Sequence, residues 1–330
     1  WKNKMKAAVY KGNQQFKVEN VPTPVPGPEQ VLMKVNLSAI CGTDVHAFMY
    51  NIAPPGTVLG HEFCGTIIAT GSRVRKLREG DRVIGGGGTP PPGMEPPQQS
   101  HPRYNYRTMG FPHGSVRGYA EYIAMDEWQL LTIPENIDNE TAALTEPCAV
   151  AIHAVRNSSL QIGDTAGIIG AGPIGLLVLQ AVLAAGATKV FVSEPAPARS
   201  QAAVKLGANT VINPHKSNPV EQMVELTDGV GPDVVFDCAG LGSTLDQSFN
   251  TVRRSGQVVL VAVPWEPIPL KPVDWMAREI KFQASWVSLP QDWRTAIEFA
   301  QSGKISMQPL LSEASFIPLE DIQSAFEALM

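Results

Sequence analysis

Cys41-Gly42-Thr43-Asp44-Val45-His46 sets a thiol, a hydroxyl, a carboxylate and an imidazole within one short run, and Gly60-His61-Glu62 and Glu146 follow along the chain. Thiolate, imidazole and carboxylate are the donors zinc takes, and a catalytic zinc uses three protein ligands and keeps one position open. Singly, each residue has an ordinary reading. A cysteine is commonly a small buried apolar residue, a histidine an interior hydrogen-bonding group, and a glutamate a surface acid.

A second constellation is Gly170-Ala171-Gly172-Pro173-Ile174-Gly175. It follows a strand-like apolar run and opens a helix-like one. The first glycine can therefore make a tight turn, the second can admit a pyrophosphate to the backbone, and the third can allow close helix packing. Glu194 lies nineteen residues after Gly175, just past the strand run Val190-Phe191-Val192. An acid there accepts hydrogen bonds from the adenosine ribose. It would also repel a 2′-phosphate, so the pattern predicts NAD rather than NADP. Arg199, five residues on, either covers the adenosine or is a solvated residue at a helix start.

These groups need elements to hold them. At 330 residues the chain is long enough for two domains, each with its own core. It is 44% hydrophobic and 17% charged, a globular composition. Acids outnumber bases 31 to 26, for a net charge of −5, and no run of Lys or Arg forms a stripe that would track a phosphate backbone. Nucleic acid is not an expected partner. The longest apolar stretch, Ile168 to Ala185, is broken by Gly170, Gly172, Pro173 and Gly175, so no membrane span is expected, and nothing at the N-terminus resembles the basic region and apolar core of a secretory signal. Four widely spaced cysteines, Cys41, Cys64, Cys148 and Cys238, do not form a disulfide framework. A cytoplasmic protein with free thiols, or with a metal ligand among them, is the expectation.

Along the first part, short β-rich runs such as Gln30 to Leu37, Gly65 to Ala69, Gly80 to Ile84 and Gly118 to Ile123 alternate with Gly, Pro and Asp turns, as in an irregular β-barrel or sandwich. Residues 85–114 hold seven glycines and seven prolines with no apolar periodicity, which predicts a long surface excursion. Thr141 to Val155 reads as one buried helix. After Gly163 the pattern changes. Ala166 to Ile169, Lys189 to Val192, Thr210 to Ile212, Asp233 to Asp237 and Gln257 to Val263 are near-continuous apolar runs separated by helical segments, the rhythm of a doubly wound parallel sheet. Helical patterns at Gln291 to Ser302 and near Leu319 to Leu329 close the chain. Met5-Lys6-Ala7-Ala8-Val9 reads like a natural start.

Taken in order, Cys-x-Thr-Asp-x-His, Gly60-His61-Glu62, Gly80-Asp81-Arg82-Val83, Glu146-Pro147 and the glycine fingerprint resemble the zinc-dependent medium-chain dehydrogenases. The nearest likeness is to the sorbitol and 2,3-butanediol dehydrogenase branch, because Glu146-Pro147 stands at the third-ligand position and Ser193-Glu194-Pro195 follows the second Rossmann strand. The resemblance covers nearly the whole chain. It implies an α/β protein with a GroES-like, β-rich catalytic domain over residues 1–155, to which 286–330 return, and a Rossmann NAD-binding domain over 156–285. It also implies a last strand beyond Met330.

Carried over, Cys41 and His61 are zinc ligands, and Glu62 and Glu146 supply or exchange the remaining contact, directly or through a water. Asp44 hydrogen-bonds the His61 ring and fixes its tautomer. The implied reaction is reversible oxidation of a secondary alcohol, diol or polyol to a ketone, with Lewis-acid zinc and hydride transfer to NAD. Thr43 and His46 would relay the substrate proton to solvent, against readings as a turn cap and a surface histidine; Glu62 counts with them among the catalytic groups. Side chains near Phe48, in the 85–114 loop and near Trp286 would line the substrate pocket. The implied partners are a small alcohol or ketone and further copies of this chain, as a homodimer or homotetramer joined through the cofactor domain. One departure stands out. Residues 85–114 lack the four cysteines that hold a structural zinc in many relatives, so one zinc per chain is expected, and His101 and His113 read as solvated loop residues. Two other readings remain at this level: a zinc-independent NAD(P)H reductase of the same fold, and a cofactor-binding protein without turnover.

Overall fold

The structure is a computed structural model, and it describes residues 3–330 apart from the side chain of residue 313; residues 1 and 2 lie outside it. By their contacts the residues group into two units, Trp1–Glu146 with Leu311–Met330, and Pro147–Leu310.

In the first unit, β1 (Lys4–Gly12) and β2 (Gln15–Pro22) pair as an antiparallel hairpin. Five further strands, β3 (Gln30–Ala39), β4 (Glu62–Thr70), β5 (Arg82–Gly85), β6 (Tyr122–Asp126) and β7 (Leu130–Thr132), form an antiparallel sheet in the order β6-β3-β4-β5-β7. The alternation read from Gln30 onward places Val31 and Met33 in one core with Phe63, Ile67, Val83 and Ile123. A second core gathers Tyr10, Phe16, Phe48 and Tyr119 around Phe326. Phe326 belongs to the closing helix, which is how Leu311–Met330 is held in this unit; a buried Phe side chain contributes roughly 1.5–3 kcal/mol.

Between strands lie α1 (Gly42–Met49), the one-turn helices α2 (Pro97–Ser100) and α3 (Tyr106–Met109), α4 (Asn139–Ala143) and α5 (Thr145–Arg156), which belongs to the second unit from Pro147 onward. The single helix expected over Thr141 to Val155 is two helices broken at Leu144. Pro147 has no N–H for the carbonyl four residues back, and the Thr145 hydroxyl donates to the Thr141 carbonyl at 3.2 Å, offering the backbone another partner.

The second unit is a six-stranded parallel sheet ordered β10-β9-β8-β11-β12-β13, built from β8 (Thr165–Ile169), β9 (Lys189–Ser193), β10 (Thr210–Ile212), β11 (Val234–Asp237), β12 (Gln257–Leu260) and β13 (Lys281–Ala284). In order of appearance this is 3-2-1-4-5-6, the doubly wound order, with its reversal between β8 and β11. The apolar runs are buried because helices α6 (Pro173–Ala184), α7 (Pro197–Lys205), α8 (Pro219–Glu225), α9 (Gly242–Thr251), α10 (Pro272–Ala277) and α11 (Pro290–Gln301) connect and cover the strands. Buried Asp292 on α11 pairs with His153 and Arg156 of α5 at 2.8 and 2.9 Å, tying those helices together. The closing helix of the first unit is α12 (Ile322–Leu329). No helix among the described residues is long and apolar enough to cross a membrane.

Candidate active site

Cys41 is the N-cap of α1. Its backbone is extended and its Sγ accepts a bond from the Thr43 N–H at 3.4 Å, so the sulfur sits at a helix end that favours negative charge. His61 and Glu62 enter at the start of β4, after Gly60 turns the chain at a φ of +95°. The ligand atoms of Cys41, His61 and Glu62 lie within 4.8 Å of one another, and among the described residues this is the one cluster of its kind that could hold a metal ion. Glu62 is buried, whereas Cys41 and His61 are partly exposed, so the cluster can be approached.

Asp44 is almost fully buried, and its Oδ2 lies 3.4 Å from His61 Nδ1, the contact expected of it. Its other oxygen, Oδ1, is buried with no hydrogen-bond partner among the described residues. Burial pushes the Cys41 thiol up to about 11, with Glu62 adding to it. Burial and the charge of Glu146 push Glu62 up to about 8. Burial raises Glu146 as well, with His61 opposing. Burial works against charge on His61 too, yet Asp44 and Cys41 hold its imidazole well above the ordinary value. Glu146, in the first turn of α5, stands outside the three-residue cluster but acts electrostatically on Glu62. Three carboxyl groups and a thiol thus crowd around one imidazole. That donor set fits zinc: sulfur, nitrogen and oxygen at mutual distances one ion can span with bonds of about 2.0–2.3 Å.

Thr43 and His46 are three residues apart on α1 and so share a face. Burial lowers the His46 pKa below its usual value.

The glycine run joins β8 to α6. Gly170 has a φ of +91°, which a side chain would strain, and its N–H bonds the Ser193 carbonyl at 2.8 Å. A Cβ on Gly175 would stand 1.9 Å from the Gly170 carbonyl oxygen, whereas one on Gly172 would meet nothing within 4 Å. The third glycine is thus demanded by packing and the second borders open space. Pro173 starts α6 with its fixed φ, and Ile174 is half-buried behind it. Glu194 is buried at the end of β9, where its carboxylate accepts the Ala171 N–H at 2.7 Å and the Ala196 N–H at 2.8 Å. The sequence-expected acid is therefore anchored on the glycine loop itself. Arg199 is exposed in the first turn of α7.

Comparison with known proteins fits both halves. A model of alcohol dehydrogenase GroES-like domains matches residues 27–135, and one of zinc-binding dehydrogenases matches residues 173–302. The (R,R)-butanediol dehydrogenase of Bacillus subtilis (strain 168) is 35% identical over 282 residues, covering 79% of this chain and 78% of the relative. The sorbitol dehydrogenase of the same organism is 33% identical over 335 residues, covering 98% and 93%. The chain belongs to the zinc-dependent medium-chain dehydrogenases. A crystal structure of a Sinorhizobium meliloti 1021 protein of similar fold, bound to NADP, superposes with a TM-score of 0.86 at 31% identity, covering 98% of this chain and 96% of that one.

In this medium-chain dehydrogenase the loop between β5 and β6 differs from the sequence reading. The 85–114 segment is not wholly a surface excursion: Phe111 is only 7% exposed, and with Tyr106 it packs into the aromatic core, their rings 5.3 Å apart. Phe48, whose neighbours are expected to line a substrate pocket, is itself fully buried, stacked on Phe16 at 5.2 Å. Sequence reasoning also missed Tyr119, whose hydroxyl donates to Asp44 Oδ2 at 2.8 Å. The only available signal was an aromatic residue in a β-rich run.

Proposed function

We propose that this dehydrogenase interconverts secondary alcohols, diols or polyols and the corresponding ketones, using zinc and NAD. The observation that carries the reading is the Cys41, His61 and Glu62 cluster backed by Asp44, in a chain whose relatives include sorbitol and butanediol dehydrogenases. Cys41, His61 and Glu62 would hold the metal, with Glu146 beside Glu62 as an exchangeable or water-bridged ligand. When bound, zinc supplies Lewis acidity toward a hydroxyl or carbonyl oxygen, and NAD supplies the hydride acceptor.

The chain's own side chains orient groups and move the proton. Asp44 fixes the tautomer of His61 and leaves its Nε2 for a ligand. Thr43 Oγ1 would accept the proton of the substrate hydroxyl while giving up its own, which would pass by way of the cofactor ribose to His46 and on to solvent. A lowered pKa keeps that imidazole neutral and ready to accept near neutral pH.

In the second unit, Gly170, Gly172, Pro173, Ile174 and Gly175 would cradle the pyrophosphate, with Glu194 on the adenosine ribose and Arg199 over the adenine. The buried Glu194 carboxylate supports NAD over NADP, because a 2′-phosphate would face a fixed negative charge. A single zinc per chain is supported by the absence of cysteine from residues 85–114, the segment that would hold a second one. Four free cysteines fit a cytoplasmic location. Assembly into a homodimer or homotetramer is supported by β13, an edge strand whose Phe282 is 46% exposed; Val273 and Met276 of α10 are exposed as well. Pairing of this edge with its counterpart in a second copy would cover it.

A panel of diols and polyols, offered with NAD and with NADP before and after chelation, tests the reading. The expected result is chelator-sensitive NADH production. No reduction of either nucleotide by zinc-loaded protein would instead favour a cofactor-binding protein without turnover.

A further inference from the structure

Tyr119 precedes β6, is 3% exposed, and touches three pieces of the metal centre. Its ring lies on the backbone of Gly60, the residue before His61. A Cβ at Gly60 would come within 2.7 Å of Tyr119 Cδ1 and 2.8 Å of Cε1, so the ring fits only because that residue is glycine. Backbone bonds from Gly118 N–H to the Gly60 carbonyl and from Tyr119 N–H to the Leu59 carbonyl, both 2.9 Å, fix the two segments in register. The hydroxyl shares its proton between Asp44 Oδ2 at 2.8 Å and the Ala39 carbonyl, two residues before Cys41, at 3.2 Å. The same Oδ2 faces His61 Nδ1, and Asp44 Oδ1 has no hydrogen-bond partner among the described residues. The Tyr119 hydroxyl is therefore the hydrogen bond that aims this buried carboxylate; donors to a charged acceptor are the strong ones.

We propose that Tyr119 is a positioning residue for zinc: its ring sets the backbone that carries His61, and its hydroxyl sets Asp44, which in turn orients the His61 ring. The inference rests on Cys41, His61 and Glu62 being the zinc site. It deepens that reading by placing a determinant of metal affinity beyond the groups that touch the ion.

The test is a mutant cycle read as zinc affinity by chelator competition, on full-length protein with melting temperature and NAD binding recorded for every variant. Tyr119→Phe keeps the ring contacts with Gly60 and with Phe326, whose ring is 6.0 Å away, and removes the hydroxyl alone. It should weaken zinc on the order of tenfold while NAD binding stays unchanged. Asp44→Asn should weaken zinc at least as much, and adding Tyr119→Phe to it should cost little more, because the hydroxyl acts through the carboxylate. A Tyr119→Phe protein that binds zinc within about twofold of wild type, or a double variant whose losses simply add, would overturn the proposal. Cys41→Ser separates the two levels. If it keeps zinc at wild-type affinity, the site reading itself fails and the inference falls with it; if it loses zinc, the cycle judges Tyr119 alone.

Discussion

Asp44 Oδ2 and His61 Nδ1 face each other at 3.4 Å, with the carboxylate 1% exposed. Burial opposes charge on this carboxyl, yet the His61 imidazole and the Tyr119 hydroxyl hold it below the ordinary carboxylate range, so it faces the ring as an anion. Asp44→Asn keeps the shape and removes the charge. The expected result is a loss of zinc affinity between about ten- and a hundredfold, measured by chelator competition. Unchanged affinity would show that the pair does not support the metal.

The glycines of the nucleotide loop should separate packing from ligand space. Gly175→Ala places a Cβ 1.9 Å from the Gly170 carbonyl oxygen, and overpacking of that kind costs about 1–3 kcal/mol. Thermal melts should show it. Gly172→Ala has open space and an ordinary φ of −66°, so it should melt like wild type and yet bind NAD more weakly, as titration would record. A Gly172→Ala protein with undiminished NAD affinity would place the pyrophosphate elsewhere.

Glu194 makes a prediction about cofactor choice. Wild-type enzyme should have the higher kcat/KM with NAD, and Glu194→Ser should shrink the NAD-to-NADP ratio by roughly tenfold or more, the worth of one charge-assisted hydrogen bond. Steady-state kinetics with both nucleotides decide it. Equal or better efficiency with NADP in the unaltered enzyme contradicts the assignment.

His46 bears on pH dependence. Burial lowers its pKa, so the ring is neutral at pH 7 and protonates only below its ordinary value near 6.5. Proton acceptance by His46 should therefore hold through neutrality and fail as pH falls through that lowered value. His46→Gln should reduce kcat about tenfold at pH 7, with partial rescue by added imidazole buffer. A kcat unchanged by the substitution would remove His46 from the relay.

How much of this was legible in the sequence depended on how local each requirement is. Gly170 and Gly175 answer to backbone geometry inside one turn, and the glycine spacing alone pointed to their roles. The parallel sheet of the second unit was legible as a class, because apolar runs buried on both faces leave little choice but that arrangement; the order of its strands was not. The metal cluster was not legible from spacing. Cys41 caps a helix and His61 opens a strand twenty residues later, so only the family resemblance joined them. Tyr119 was hidden for the same reason, since its place is set by pairing between residues 118–119 and 59–60. Phe111 and Tyr106 were read as loop because a segment rich in glycine and proline shows no periodicity even where it packs.

The central claim is that Cys41, His61 and Glu62 hold the zinc on which oxidation of the alcohol depends. Metal analysis of wild type and Cys41→Ser, purified without added zinc and assayed with NAD and a diol or polyol that wild type turns over, tests it most directly. The account predicts one zinc per chain in wild type, and in Cys41→Ser loss of both zinc and turnover with NAD affinity retained, since the glycine loop lies in the other unit. A Cys41→Ser protein that holds stoichiometric zinc and turns over at the wild-type rate would contradict it.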